Sequence, residues 1–166
     1  MRPKILSVDD SKAVRMRLAR LFRPFACEVF GAANGEEGLA VAARERPDLI
    51  LLDYNMPVMD GISMLRRLRE HADLRRTPVI MLTGESSAEN IATVARLGVR
   101  DYITKPFDER LLLAKAARAI SLVARPSHDR CESEPDPQSK RSGDAQGPVS
   151  AESPGPAAQL VEAPSP

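Results

Sequence analysis

The sequence predicts an α/β fold, a three-layer sandwich with helices on both faces of a five-stranded parallel sheet. Three observations carry that prediction. Near-continuous apolar runs recur at Ile5-Leu6-Ser7-Val8, Leu49-Ile50-Leu51-Leu52 and Val79-Ile80-Met81-Leu82, as strands covered on both faces require. Between the runs, apolar residues return at helical spacing. Residues 1–125, which carry this pattern, are enough chain to bury a core of their own.

The first strand, residues 5–8, runs into Asp9-Asp10-Ser11. The helix after it has Val14, Leu18, Leu21 and Phe25 as its apolar stripe, with Arg15, Arg17, Arg20 and Arg23 as its wet face. Glu28-Val29-Phe30 is shorter and more mixed, which suits a sheet edge, and Tyr102-Ile103-Thr104 suits the opposite edge. Ser86-Ser87-Ala88-Glu89 reads as a capping box before Ile91, with Gly98 as that helix's stop. Phe107, Asp108 and Leu112 read as a hydrophobic staple around an N-cap, and Leu113, Ala117, Ile120 and Ala124 as the stripe of the last helix. Five strand–helix units result. With short right-handed crossovers and strands one, three and four central, the predicted order is 2-1-3-4-5. No internal repeat is present.

Composition changes near Arg125. Residues 126–166 hold 8 of the 14 prolines, no Phe or Tyr, and only Val149, Leu160 and Val161 among Val, Ile, Leu, Phe and Met. Such a segment buries too little apolar surface to offset chain entropy, so a Pro-rich, disordered acidic tail is expected there. The charge divides the same way. Residues 1–125 carry 21 basic and 16 acidic side chains, the tail 3 and 7.

The net charge of +1 argues against a strongly basic nucleic-acid binder. The arginines at 66, 67, 69, 75 and 76 have no interleaved aromatics and read as a solvated face. No stretch approaches the length of a membrane span. Two acids at positions 9 and 10 interrupt any signal peptide, so a cytoplasmic location is expected. Cys27 and Cys131 are too few for a disulfide frame or a metal cluster, and His71 and His128 read as a helix-end residue and a tail residue.

Open parallel sheets place their sites beyond the carboxyl ends of the strands. There the sequence sets Asp9-Asp10 after strand one, Asp53 after strand three, Thr83 after strand four and Lys105 after strand five. Three carboxylates gathered without a cation would repel by roughly 3 kcal/mol per pair at about 5 Å and an effective dielectric near 20. A hard divalent ion resolves that conflict. Magnesium (Mg²⁺) suits the set, because it takes one or two carboxylates and keeps open positions for phosphate oxygens. A carboxylate beside such an ion, a lysine and a hydroxyl points to phosphoryl transfer, with a protein carboxylate as the possible acceptor.

Asp9-Asp10-Ser11, Asp53-Tyr54-Asn55-Met56-Pro57-Val58-Met59-Asp60-Gly61, Thr83-Gly84 and Lys105-Pro106-Phe107 resemble the receiver domain of bacterial two-component response regulators. The resemblance covers roughly residues 3–124, and the order 2-1-3-4-5 is also that of the chemotaxis members of this flavodoxin-like (βα)5 group. It implies that Asp53 is the phosphoacceptor for a phosphohistidine of a sensor histidine kinase or phosphotransfer protein. It implies that Asp10 and Asp53 hold Mg²⁺ by carboxylates, Asp9 largely through water and Asn55 by its backbone carbonyl. Lys105 would pair with the phosphoryl group, and its bond to Pro106 would be cis. Thr83 would follow the phosphoryl group, the Gly84 N–H would hold its oxygens, and Tyr102 would be the aromatic switch. Asn55 with Glu85, and Arg15 after the acidic pair, resemble the chemotaxis subgroup.

The implied activity is not that of a dedicated enzyme. The chain would catalyse its own Mg²⁺-dependent phosphorylation and dephosphorylation, and switch binding to a downstream effector protein through a face with Arg96, Tyr102 and Lys115. The alternative is a phosphorylation-independent receiver-like binding module. A dehalogenase-type phosphatase would need an aspartate where Asn55 stands, and no phosphate-binding G-x-x-x-x-G-K-[ST] loop is present. No effector domain, no direct nucleic-acid contact and no membrane insertion are expected.

Overall fold

The computed structural model describes residues 2–84 and 88–125, the side chains of 88–90 excepted. The chain divides into two units, Met1–Ser127 and His128–Pro166, and the described residues lie in the first. The expected tail, with His128 and Cys131, lies outside the described residues, as do Glu85 and the serines of the expected capping box.

Five strands alternate with five helices: β1 Lys4–Val8, α1 Lys12–Phe22, β2 Glu28–Ala32, α2 Gly35–Glu45, β3 Leu49–Asp53, α3 Gly61–Glu70, β4 Val79–Thr83, α4 Ala88–Arg96, β5 Asp101–Thr104 and α5 Glu109–Ala119. The strands form one parallel sheet in the order β2-β1-β3-β4-β5, as the sequence predicts. Every residue of β3 and β4 is buried. Their side chains alternate between two cores. Leu49, Leu51, Ile80 and Leu82 pack with Leu18, Phe22, Leu112 and Ala116 of α1 and α5. Ile50, Leu52, Val79 and Met81 pack with Ala42, Met64, Leu65, Leu68 and Val94 of α2, α3 and α4. Burial on both faces is why these strands read as unbroken apolar runs.

Caps fix where the helices start. Ser11 accepts from the Val14 N–H, Asn34 from Glu37, Asp60 from Ser63, and Asp108 from Arg110 and Leu111. Gly98 turns the chain at φ +70 just after α4, in the left-handed region that favours glycine. Phe107 and Leu112 share one buried cluster on either side of the Asp108 cap, as a staple should.

Two helical stripes differ from expectation. α1 ends at Phe22, so Phe25 is not on it; the Arg23 N–H closes back onto the Arg20 carbonyl, and Pro24 follows with no N–H to continue the ladder. Phe22 takes the fully buried place, while Phe25 still packs, partly buried, against the same core from beyond the helix and makes an isolated bridge to Ala124. In α5 the fully buried pair is Leu112 and Ala116, one residue earlier than the expected stripe; of that stripe Leu113 and Ile120 pack partly buried against the same core, and Ala117 is exposed. Leu111-Leu112-Leu113 offers three phases for the apolar stripe, and the Asp108 cap selects one.

Glycine matters most at position 61. A Cβ there would stand 2.1 Å from the carbonyl oxygen of Asp53, and the Gly61 N–H bonds the Tyr54 carbonyl at 3.0 Å. The start of α3 is thereby pressed against the end of β3. At Gly31 a Cβ would only meet the Arg15 stem at 3.5 Å. Gly61→Ala is expected to lose at least about 1–3 kcal/mol through overpacking, and Gly31→Ala to be neutral or up to about 1 kcal/mol stabilising. Thermal melts of the two variants check this; equal midpoints would contradict the close approach at Gly61.

Candidate functional site

The carboxyl ends of β1 and β3 lie side by side, because Val8 pairs with Leu52 in register. Asp9, which follows β1, and Asp53, which ends β3, therefore emerge as neighbours, with Asp10 one residue on. Asp9, Asp10 and Asp53 each offer a carboxylate oxygen, and these oxygens all lie within 4.8 Å of one another. Asp9 and Asp53 are buried, whereas Asp10 is exposed.

Lys105 reaches into this cluster from beyond β5. Its Nζ is 2.7 Å from Asp9 Oδ2 and 2.8 Å from Asp53 Oδ1. The loop that delivers it is fixed by its own N–H on the Thr83 carbonyl at 2.7 Å, and the Lys105–Pro106 peptide is cis, as the resemblance implied. The Ser11 N–H donates to Asp9 Oδ1 at 2.9 Å, and the Tyr54 N–H to Asp53 Oδ1 at 2.9 Å. Thr83 is buried at the end of β4, Gly84 is exposed just after it, and Asn55 is exposed in the loop after Asp53. Tyr102, on the edge strand β5, is 41% exposed, which leaves it accessible to solvent.

The electrostatics follow from burial. Loss of water raises the Asp53 carboxyl above its ordinary value; the hydrogen bond and charge of Lys105 pull it down, and the Asp9 charge pushes it up again. Burial alone would lower the Lys105 ammonium, but its hydrogen bonds and ion pairs to Asp53 and Asp9 prevail and raise it. One ammonium thus serves two buried carboxylates while a third stands at the rim. That surplus of negative charge and the all-oxygen donor set fit a hard divalent cation such as Mg²⁺.

Three features escaped the sequence reading. Arg15 does not belong to the wet face: it is half-buried, and its Nη1 donates to the Asp9 and Asp10 carbonyls. A side chain one turn into a helix leans toward the N-terminus, which is the signal that could have found this reach. Arg69 is not a solvated residue either. It donates to the carbonyls of Arg75, Thr77, Leu97 and Gly98, tying the loops before β4 and β5 together. The loop after Asp53 turns through Val58 at φ 67, with the Met59 N–H 2.7 Å from the Pro57 carbonyl. A β-branched residue in that region costs about 1–3 kcal/mol, and nothing in the sequence signals it.

The family model for the response regulator receiver domain matches residues 5–117. Protein PilH of Pseudomonas aeruginosa is 37% identical over 110 residues, covering 66% of this chain and 91% of PilH. Sporulation initiation phosphotransferase F of Bacillus subtilis is 39% identical over 108 residues, 65% of this chain and 86% of that protein. The solved structure of the Vibrio cholerae chemotaxis protein CheY4 superposes with a TM-score of 0.68 at 35% identity, covering 72% of this chain and all of CheY4. Other curated relatives are longer: the chain spans 50% of one and 25% of another.

A carboxyl raised by burial binds its proton more tightly folded than unfolded, so it withdraws stability as pH rises from the ordinary aspartate range through its folded value. In EDTA, Asp53→Asn is therefore expected to be more stable than the parent at neutral pH, with the difference shrinking as pH falls toward about 4. Urea unfolding of both proteins across that range measures it. A difference that grows on acidification would contradict the assigned environment of Asp53.

Proposed function

The chain belongs to the response regulator receiver family, and from that premise we propose that Asp53 is its phosphoacceptor. The observation that carries this reading is the convergence of Asp53 with Asp9, Asp10 and Lys105 at the ends of the parallel strands. A carboxylate oxygen of Asp53 attacks the phosphorus of a phosphohistidine on a sensor kinase or phosphotransfer protein. The P–N bond breaks, its electron pair leaves with the imidazole, and an acyl phosphate forms on Asp53. Hydrolysis of that acyl phosphate later returns the free carboxylate.

Each neighbour has a part. Asp10 and Asp53 would hold Mg²⁺ through carboxylates and Asn55 through its backbone carbonyl, while Asp9, whose oxygens already accept from Ser11 and Lys105, would contribute mainly through water. The bound ion supplies charge neutralisation to the transferring phosphoryl oxygens. Lys105 is the mobile point charge that leaves its carboxylates for the phosphoryl group. The Thr83 hydroxyl and the Gly84 N–H complete the oxygen contacts. Phosphorylation adds close to two negative charges and three acceptor oxygens, which draws Thr83 inward and lets Tyr102 follow. A switch from 1:99 to 99:1 needs roughly 5.5 kcal/mol of differential stabilisation.

The output is altered binding to an effector protein, with the chain working in the cytoplasm. Among the described residues no helix is long and apolar enough to cross a membrane. The 126–166 segment is proposed as a separate acidic tail, on its composition alone.

Incubation with Mg²⁺ and a small acyl-phosphate donor tests the chemistry. Phosphoryl incorporation is expected for the parent, and its loss in Asp53→Ala and in EDTA. Equal labelling of parent and variant would remove Asp53 from the mechanism, and no labelling of either would favour a binding module that works without phosphorylation.

A further inference from the structure

Arg15 is a half-buried cation with no carboxylate partner among the described residues. Its Nη1 spans two consecutive main-chain carbonyls, those of Asp9 and Asp10, the second at 3.1 Å. Its stem runs past Gly31 of β2. Ser7 of β1 pairs with Gly31 of β2, and a Cβ on Gly31 would lie 3.5 Å from Arg15 Cδ.

The two acids differ in what else holds them. Asp9 is fixed from every side: its N–H donates to the Ala32 carbonyl at 3.1 Å, Oδ1 accepts from Ser11 at 2.9 Å, and Oδ2 accepts from Lys105 at 2.7 Å. Asp10 is exposed, and among the described residues nothing hydrogen-bonds its carboxylate. Its direction depends on the orientation of its main chain, which Arg15 grips.

We propose that Arg15 is a positioning residue for the metal-binding step: by clamping the Asp9 and Asp10 carbonyls it aims the Asp10 carboxylate into the cluster with Asp53. Its fixed positive charge behind the acidic turn also offsets repulsion among the three carboxylates without entering the site. A group that orients a metal ligand from behind typically changes metal affinity about 10- to 100-fold when removed. The inference rests on the phosphoacceptor reading, since it concerns the cation that reading requires.

Calorimetric titration of the full chain with Mg²⁺ tests it, using the parent, Arg15→Met and Arg15→Lys, beside thermal melts of each in EDTA. Arg15→Met is expected to bind Mg²⁺ about tenfold more weakly or worse, with a folded transition in EDTA. Arg15→Lys, which keeps the charge and the donors, should recover most of the loss. Raising Mg²⁺ should restore the phosphorylation rate of Arg15→Met to that of the parent. Unchanged Mg²⁺ affinity in Arg15→Met overturns the proposal, as does a slow phosphorylation rate that saturating Mg²⁺ fails to restore. If Arg15→Met does not fold, Arg15→Gln read by the same criteria decides. A parent protein that binds no Mg²⁺ would instead bring down the phosphoacceptor reading itself.

Discussion

One ammonium held between two buried carboxylates is the interaction around which the site is organised. Lys105 bridges Asp9 and Asp53 at 2.7 and 2.8 Å, and each of the three residues comes from a different strand end. The parallel register of β1 and β3 sets the acids side by side, and β5 closes the sheet at the edge from which the lysine can reach both. Burying carboxylates is costly unless they are paired and hydrogen-bonded. Here the pairing is shared rather than complete, because a third acid stands next to the pair. A site so arranged gains from further positive charge, which is the physical basis for reading it as a cation and phosphoryl site.

The rigidity of that arrangement comes from main-chain contacts around it. Gly61 lets α3 press on the carbonyl of Asp53, Ser11 ties the Asp9 carboxylate to the first turn of α1, and Arg15 grips the carbonyls of the acidic turn. Arg69 does comparable work elsewhere, with four carbonyls and, among the described residues, no carboxylate, and burial lowers its guanidinium from its ordinary value. Two arginines thus act as multidentate donors that fix loops. Their charge is satisfied by carbonyl dipoles.

What could be read from the sequence follows a physical divide. Strands buried on both faces announce themselves as apolar runs, so the sheet, its order and the strand ends bearing Asp9, Asp53, Thr83 and Lys105 were legible. Side-chain identity at those ends was enough to anticipate the acidic cluster and the lysine beside it. Helix phase was less legible. The three leucines at 111–113 allow several stripes: the staple around Asp108 pointed to Leu112 and the helical spacing to Leu113, and it is Leu112 with Ala116 that is fully buried. Pro24 was the available signal for the early end of α1. The position of Arg69 was hidden, because an arginine bonding to carbonyls looks in sequence like one facing water, whereas that of Arg15 was marked only by its place one turn into α1. The turn through Val58 was equally silent, since its residue type argues against the conformation it adopts.

The central claim is that the Asp53 carboxylate faces a cation-binding cluster open to a phosphoryl group. Crystals grown with Mg²⁺ and beryllofluoride, a phosphoryl mimic, test it most directly. The expected result is the mimic bonded to Asp53, an ion held by Asp10 and Asp53, and the Lys105 ammonium moved onto a fluorine. An Asp53 left unmodified with Lys105 still bridging it to Asp9, or a mimic bonded elsewhere, would contradict the account.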